Sequence, residues 1–298
     1  MAYVDDEIAS QPDHWRRAAR LAAASVEALP RPGERVAVVG CGTSWFMAMA
    51  YAGLREHAGQ GESDAFQASE FPARRAYDRV VVISRSGTTT EVLDLLAAVK
   101  GPSTAIVGDA RSAVAAAATD ALVLDFADER SVVQTRFATS ALALLRAHLG
   151  ADVSAAAADA EVALRAPLPI DPTRVEQVTF IGRGWTVGIA QEAALKCREA
   201  AGFWAEAYPA MDYRHGPIAI AGPGRAVWAF GDVPVGLADD VERTGAAFVH
   251  SRHSPGGDRP LDPMADLILA QRFAVALAAH RGLNPDAPRH LTRSVVLT

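Results

Sequence analysis

Short apolar runs alternate with helix-period patterns along most of the chain, an alternation that predicts an α/β protein. Runs rich in β-branched or small apolar residues predict strands at 35–39, 64–68, 80–83, 104–107 and 121–124. Between and after them the period lengthens and predicts helices at 14–28, 91–99 and 134–149. Pro167, Pro169 and Pro172 then suit neither element and mark a linker. A second cycle follows, with strands predicted at 178–181, 226–230 and 246–250 and helices at 186–201, 237–244 and 264–280. The expectation is two lobes, each a flavodoxin-like parallel sheet of about five strands flanked by helices. Their layout reads as an N-terminal helix and lead-in over 1–34, a first domain over 35–162, a linker over 163–174 and a second domain over 175–298.

The strand predicted at 80–83 ends abruptly in hydroxyls and a glycine: Ser84, Arg85, Ser86, Gly87, Thr88, Thr89. A parallel strand delivers such residues to the first turn of the next helix, where free N–H groups and the helix dipole favour a phosphate. Thr88 and Glu91 also have capping-box spacing, so a capped helix start without ligand is the competing reading. A related pattern, strand then G-x-G, occurs at Gly40–Gly42 and again at Gly182–Gly184. Neither completes a dinucleotide fingerprint, because Trp45 and Val187 stand at the third glycine position. The first copy adds Thr43 and Ser44 beside the carboxyl end of its strand, where open α/β sheets bind ligands. In the second lobe the strand at 226–230 runs into Gly231, Asp232, Val233 and Pro234, which offer an anion no hydroxyl and one repelling charge.

Composition narrows the partners. A formal charge of −6 over 298 residues argues against nucleic acid, which calls for a basic face. Cys41 and Cys197 are too few for a disulfide framework or a thiolate metal site, and His250, Arg252 and His253 lack metal spacing. No metal and no cofactor are expected. The start, with Asp5, Asp6 and Glu7, lacks secretory character, and no apolar run approaches the roughly 20 residues that span a bilayer, so a cytoplasmic protein without a membrane partner is expected. Lysine occurs only at Lys100 and Lys196, which sets Lys196 apart in an arginine-rich chain.

Six motifs resemble one family. They are Cys-Gly-Thr-Ser at 41–44, Ala-Ser-Glu-Phe at 68–71, Ser-Arg-Ser-Gly-Thr-Thr at 84–89, Ala-Leu-Lys-Cys-Arg-Glu at 194–199, Ala-Glu-Ala-Tyr at 205–208 and Arg-His-Gly-Pro at 214–217. The chain from about residue 35 resembles the sugar isomerase (SIS) family, in particular the isomerase part of glucosamine-6-phosphate synthase and its stand-alone relatives. The resemblance implies a phosphorylated sugar as partner, with Ser44, Ser84, Ser86 and Thr89 on the phosphate and Thr43, Arg85, Val132 and Gln134 towards the sugar. It implies Glu199 as a proton shuttle between C1 and C2, assisted by Lys196, and His215 as the ring opener. It further implies a homodimer with shared active sites. The amidotransferase domain of the synthase has no counterpart in this sequence, so glutamine is not expected as nitrogen donor.

Without the resemblance, Glu192, Lys196 and Glu199 read as a solvated ion-pair row opposite the apolar stripe of Ala190, Ala194, Cys197 and Ala201. His215 alone reads as a capped structural histidine. The tail Leu-Thr-Arg-Ser-Val-Val at 291–296 resembles the family's Leu-Ala-Lys-Ser-Val, whose lysine forms an imine with the open-chain ketose. Arg293 stands there instead, and a guanidinium stays protonated, which leaves it an electrostatic role. Arg85 occupies the position of a glutamine in the synthase, and it either adds charge to the site or faces solvent. The expectation is a phosphosugar isomerase or amino-sugar-phosphate deaminase. The alternatives are a non-catalytic sugar-phosphate sensor and an enzyme for a sugar–amine conjugate.

Overall fold

A computed structural model describes residues 2–250 and 259–297. Arg252 and His253 lie outside the described residues. The chain divides into two compact units, one holding the described residues of 13–130, 134–154 and 292–298, the other those of 1–12, 131–133 and 155–291. The described tail residues therefore group with the first sheet rather than the second, and the N-terminal residues with the second.

The first unit contains five parallel strands, β1 (Val36–Gly40), β2 (Ser63–Gln67), β3 (Arg79–Ser84), β4 (Ser103–Val107) and β5 (Asp120–Val123), in the order β2-β1-β3-β4-β5. β1, β3 and β4 are buried along their whole length, which is why they read as continuous apolar runs. Ala37, Val39, Val80, Val82, Ala105 and Val107 form one core face with Val92, Leu95 and Leu96 of a helix at Thr90–Ala98. In chain order the helices are α1 (Tyr3–Ala9), α2 (Gln11–Ala24), α3 (Thr43–His57), α4 (Thr90–Ala98), α5 (Ala113–Ala117), α6 (Arg136–His148), α7 (Val153–Arg165), α8 (Thr186–Ala201), α9 (Leu237–Glu242) and α10 (Pro263–His280). The helix expected at 14–28 is α2 followed by a 3-10 turn at Val26–Ala28.

The second unit has four strands rather than about five: β6 (Gln177–Gly182), β7 (Ala205–Pro209), β8 (Arg225–Phe230) and β9 (Ala247–His250), all parallel in the order β7-β6-β8-β9. β7 escaped the pattern reading because it is a short edge strand carrying Glu206 and Pro209. Ile181, Val227 and Ala229 pack with Leu237 and Val241 of α9. Phe180, Trp228 and Phe230 cluster, with Phe273 of α10 edge-on to Trp228 at 6.0 Å. Among the described residues no helix is long and apolar enough to cross a membrane.

Candidate active site

In the first unit the loops after β1 and β3 leave neighbouring strands at the point where the sheet order reverses, the usual ligand crevice of such sheets. Gly40 lets α3 begin directly against the strand end, since a Cβ there would lie 2.5 Å from the Ser44 carbonyl carbon. Thr43 and Ser44 thus fall in the first turn of α3, both buried. Gly87 has φ +62°, and a Cβ would lie 2.1 Å from Ser112 Oγ, so the tight loop after β3 depends on glycine.

The cradle hydroxyls gather without capping the helix. Thr89 is the N-cap of α4 and makes no side-chain cap bond, so the capping box of Thr88 and Glu91 does not form. Ser84 Oγ instead accepts from the Gly87 N–H at 3.2 Å and lies 3.5 Å from Thr89 Oγ1, while Ser86 Oγ accepts from the Thr88 N–H at 3.3 Å. Ser44, Ser84, Ser86 and Thr89 line one cavity of about 40 Å³ together with Cys41, Arg85, Gln134 and Arg293. Burial pushes the Cys41 thiol up. The side-chain oxygen of Gln134 is buried and makes no hydrogen bond among the described residues. Of the expected phosphate and sugar residues, Thr43 does not line this cavity, and Val132 belongs to the second unit, its N–H donating to Asp286 O at 3.2 Å.

Arg85 does not face solvent. It is 2 % exposed, its guanidinium lies 3.9 Å from Glu129 Oε2, and it donates to Arg293 O at 3.2 Å. Glu129 sits at the N-terminus of α6, where Oε1 accepts from the N–H groups of Thr135 (2.6 Å) and Arg136 (2.8 Å) and from Thr135 Oγ1 (2.8 Å). That is where a helix dipole favours an anion. Arg293 donates to the Asp128 carboxylate and to Glu129 O, so two acids that the motif reading passed over hold both arginines. The tail continues across the cradle. Ser294 Oγ accepts from Ser86 Oγ (3.1 Å) and Thr88 Oγ1 (3.0 Å), Val295 O accepts from the Thr90 N–H (3.4 Å), and the Leu297 N–H donates to Thr90 Oγ1 (2.9 Å).

The second unit holds the ionisable set. The row on α8 is not solvated: Glu192 and Lys196 are 0 % and 1 % exposed. Lys196 Nζ donates to Glu199 Oε2 at 2.6 Å and lies 3.4 Å from Glu192 Oε1, while the Glu199 side chain retains 20 % exposure. His215 ends a 3-10 turn at Asp212–His215; it is exposed and makes no hydrogen bond among the described residues, unlike a capped structural histidine. Its neighbour Arg214 anchors the turn, donating through Nε to Asp240 at 2.8 Å and to Val235 O at 2.9 Å. The Arg214 bond holds the Asp240 carboxyl below its usual range. In this unit Thr186, at the place that Ser44 takes in the first, donates its Oγ1 to Phe230 O (2.9 Å). Among the described residues no cluster of His, Cys, Asp or Glu could hold a metal.

No protein-family model matches the chain. The glutamine–fructose-6-phosphate aminotransferase (isomerizing) of Gloeobacter violaceus is 29 % identical over 89 % of this chain, which spans about half (52 %) of that protein. A glucosamine-6-phosphate deaminase from Thermotoga maritima superposes with a TM-score of 0.79 at 25 % identity, covering 99 % of this chain and 100 % of its own. The C-terminal domain of glucosamine-fructose-6-phosphate aminotransferase from Francisella tularensis gives 0.82 at 22 % identity, covering 97 % and 98 %. With its two parallel sheets and its hydroxyl loop after β3, the chain is a homologue of the sugar-isomerase (SIS) portion of glutamine–fructose-6-phosphate aminotransferases.

Proposed function

We propose that the protein is a phosphosugar isomerase or amino-sugar-phosphate deaminase that moves a proton between C1 and C2 of a hexose 6-phosphate. One observation carries the reading: the hydroxyls of Ser84, Ser86, Thr88 and Thr89 converge at the start of α4 while Thr89 leaves that helix uncapped by its side chain. Hydroxyls and free N–H groups in that arrangement suit a phosphate. The identities of the relatives named above, an isomerizing aminotransferase and a deaminase, agree with it.

In this reading His215 opens the ring by moving a proton between the ring oxygen and the C1 or C2 hydroxyl. Glu199 takes a proton from one of the two carbons, leaving an enediol, and returns it to the other. With a 2-amino sugar the same transfer yields a ketimine, which water splits to ketose and ammonia. Lys196, 2.6 Å from Glu199, orients the carboxylate. Arg293 and Arg85 stabilise negative charge that develops on the sugar, and Gln134 offers an acceptor for a hydroxyl. A cavity of about 40 Å³ is too small for a whole hexose phosphate, so in this reading only the phosphate end of the substrate enters it. The exposed His215 suits a homodimer in which the turn serves the partner's site, and the free thiols of Cys41 and Cys197 suit the cytoplasm.

One observation favours a sensor instead: Arg293, in the family's lysine position, is held by Asp128 and Glu129 O. Proton exchange separates the two. Incubated in D2O with hexose 6-phosphates and their 2-amino forms, the enzyme incorporates deuterium at C1 or C2 and Glu199→Gln does not; a sensor binds the sugar and exchanges nothing.

A further inference from the structure

The second unit contains a cavity of about 300 Å³ that Glu199 shares with Arg198, Arg281, Arg289, His290 and Asn284. Its charge balance is strongly one-sided. Among the described residues Glu199 is the only carboxylate in the wall, and Lys196 pairs with it at 2.6 Å. Asp286, next to the wall in sequence, is engaged elsewhere, accepting from the N–H groups of Tyr3 (2.7 Å) and Val4 (2.9 Å) at the start of α1. The arginines have no carboxylate partner among the described residues. Arg198 donates to Ala205 O (2.9 Å) and Arg281 to Gly202 O (3.2 Å), with Arg281 also over the Phe203 ring at 5.8 Å. Arg289 makes no hydrogen bond or ion pair among the described residues.

Backbone geometry points the same way. His290 is the one non-glycine residue with positive φ (+64°) among the described residues, a conformation that costs energy and that here brings an imidazole to the cavity wall. Three guanidiniums with unspent donors around a concave, half-polar space are what a phosphate or carboxylate requires.

We propose that this cavity is a second anion-binding site, separate from the hydroxyl cradle, which takes a phosphate or carboxylate group beside Glu199. The group is either a second anionic substituent of the substrate or a small effector. A role in turnover rests on the reading of Glu199 as proton carrier; the site itself does not.

The test uses the full chain with the cradle disabled by Ser84→Ala and Ser86→Ala, titrated with inorganic phosphate while the amide NMR signals of Gly202 and His290 are followed. A saturable shift is expected. Arg289→Gln weakens it at least about tenfold, the worth of one charge-assisted hydrogen bond, and Arg281→Gln with Arg289→Gln removes it. Because Arg289 is exposed and makes no hydrogen bond or ion pair among the described residues, the single variant reports even if the double variant is damaged. Absence of a saturable shift, or a shift unchanged in Arg289→Gln, overturns the proposal. In the proton-exchange assay with an intact cradle, competitive inhibition by phosphate that Arg289→Gln relieves identifies the substrate's own group. A change in rate at saturating sugar phosphate that the same variant abolishes identifies an effector. If no form exchanges protons, the enzymatic reading fails while the NMR result still decides the site.

Discussion

Lys196 is buried between two carboxylates, Glu192 at 3.4 Å and Glu199 at 2.6 Å, and it is one of only two lysines in the chain. A compact ammonium fits where a guanidinium's planar fork does not. Lys196→Met removes a buried cation that touches both Glu192 and Glu199 and should cost about 3–5 kcal/mol in urea unfolding. Lys196→Arg should recover only part of that. Arg293 poses the complementary question, for it cannot lose a proton to form an imine. Borohydride added during turnover should therefore trap no sugar on the protein, and Arg293→Met should lower kcat more than it raises KM. A trapped adduct mapped to Lys196 by mass spectrometry would make that amine the nucleophile instead. Lys196 stood out in the sequence by its type, and Arg293 by its place in the tail motif. The acids that hold Arg85 and Arg293, Asp128 and Glu129, did not, because their meaning depends on the fold carrying them to the start of α6 and to the tail.

At the scale of elements, β1, β3, β4 and β6 were legible as short runs rich in apolar and β-branched residues because they are buried along their length. α8 was legible to the residue, yet its polar row is buried rather than solvated: spacing gives the side of a helix but not what packs on that side. β7, half-buried at a sheet edge, carried too little pattern to register. The loop after β3 depends on Gly87, so Gly87→Ala should destabilise the unit by at least about 1–3 kcal/mol in urea and weaken sugar-phosphate binding with it. Cys197, within the apolar stripe of α8, gives the fold a pH dependence. Burial pushes its thiol up from 9.0 to about 12. An acid whose folded pKa is raised stabilises the fold fully below the unfolded value and loses that contribution as pH rises from the unfolded towards the folded value. Stability of the wild type should therefore fall between about pH 9 and 12, and that limb should flatten in Cys197→Ala, as followed by urea midpoints across pH.

At the scale of the molecule, two similar strand-loop-helix units differ in their crevices. The first keeps an open hydroxyl loop, and the second fills the equivalent place with Thr186 while α8 carries the ionisable set. If His215 serves a partner's site, inactive Glu199→Gln and inactive His215→Ala chains should regain part of their activity when refolded together. Failure in verified heterodimers would place both residues in one chain's site. Everything proposed about turnover depends first on the cradle holding a phosphate. The most direct measurement is calorimetric titration of the wild type and of a folded Ser84→Ala, Ser86→Ala variant with a hexose 6-phosphate that the wild type binds. Binding should weaken by about 3–6 kcal/mol in the variant, two charge-assisted hydrogen bonds at roughly 1.5–3 each. Unchanged affinity would mean that the cradle hydroxyls do not hold the phosphate.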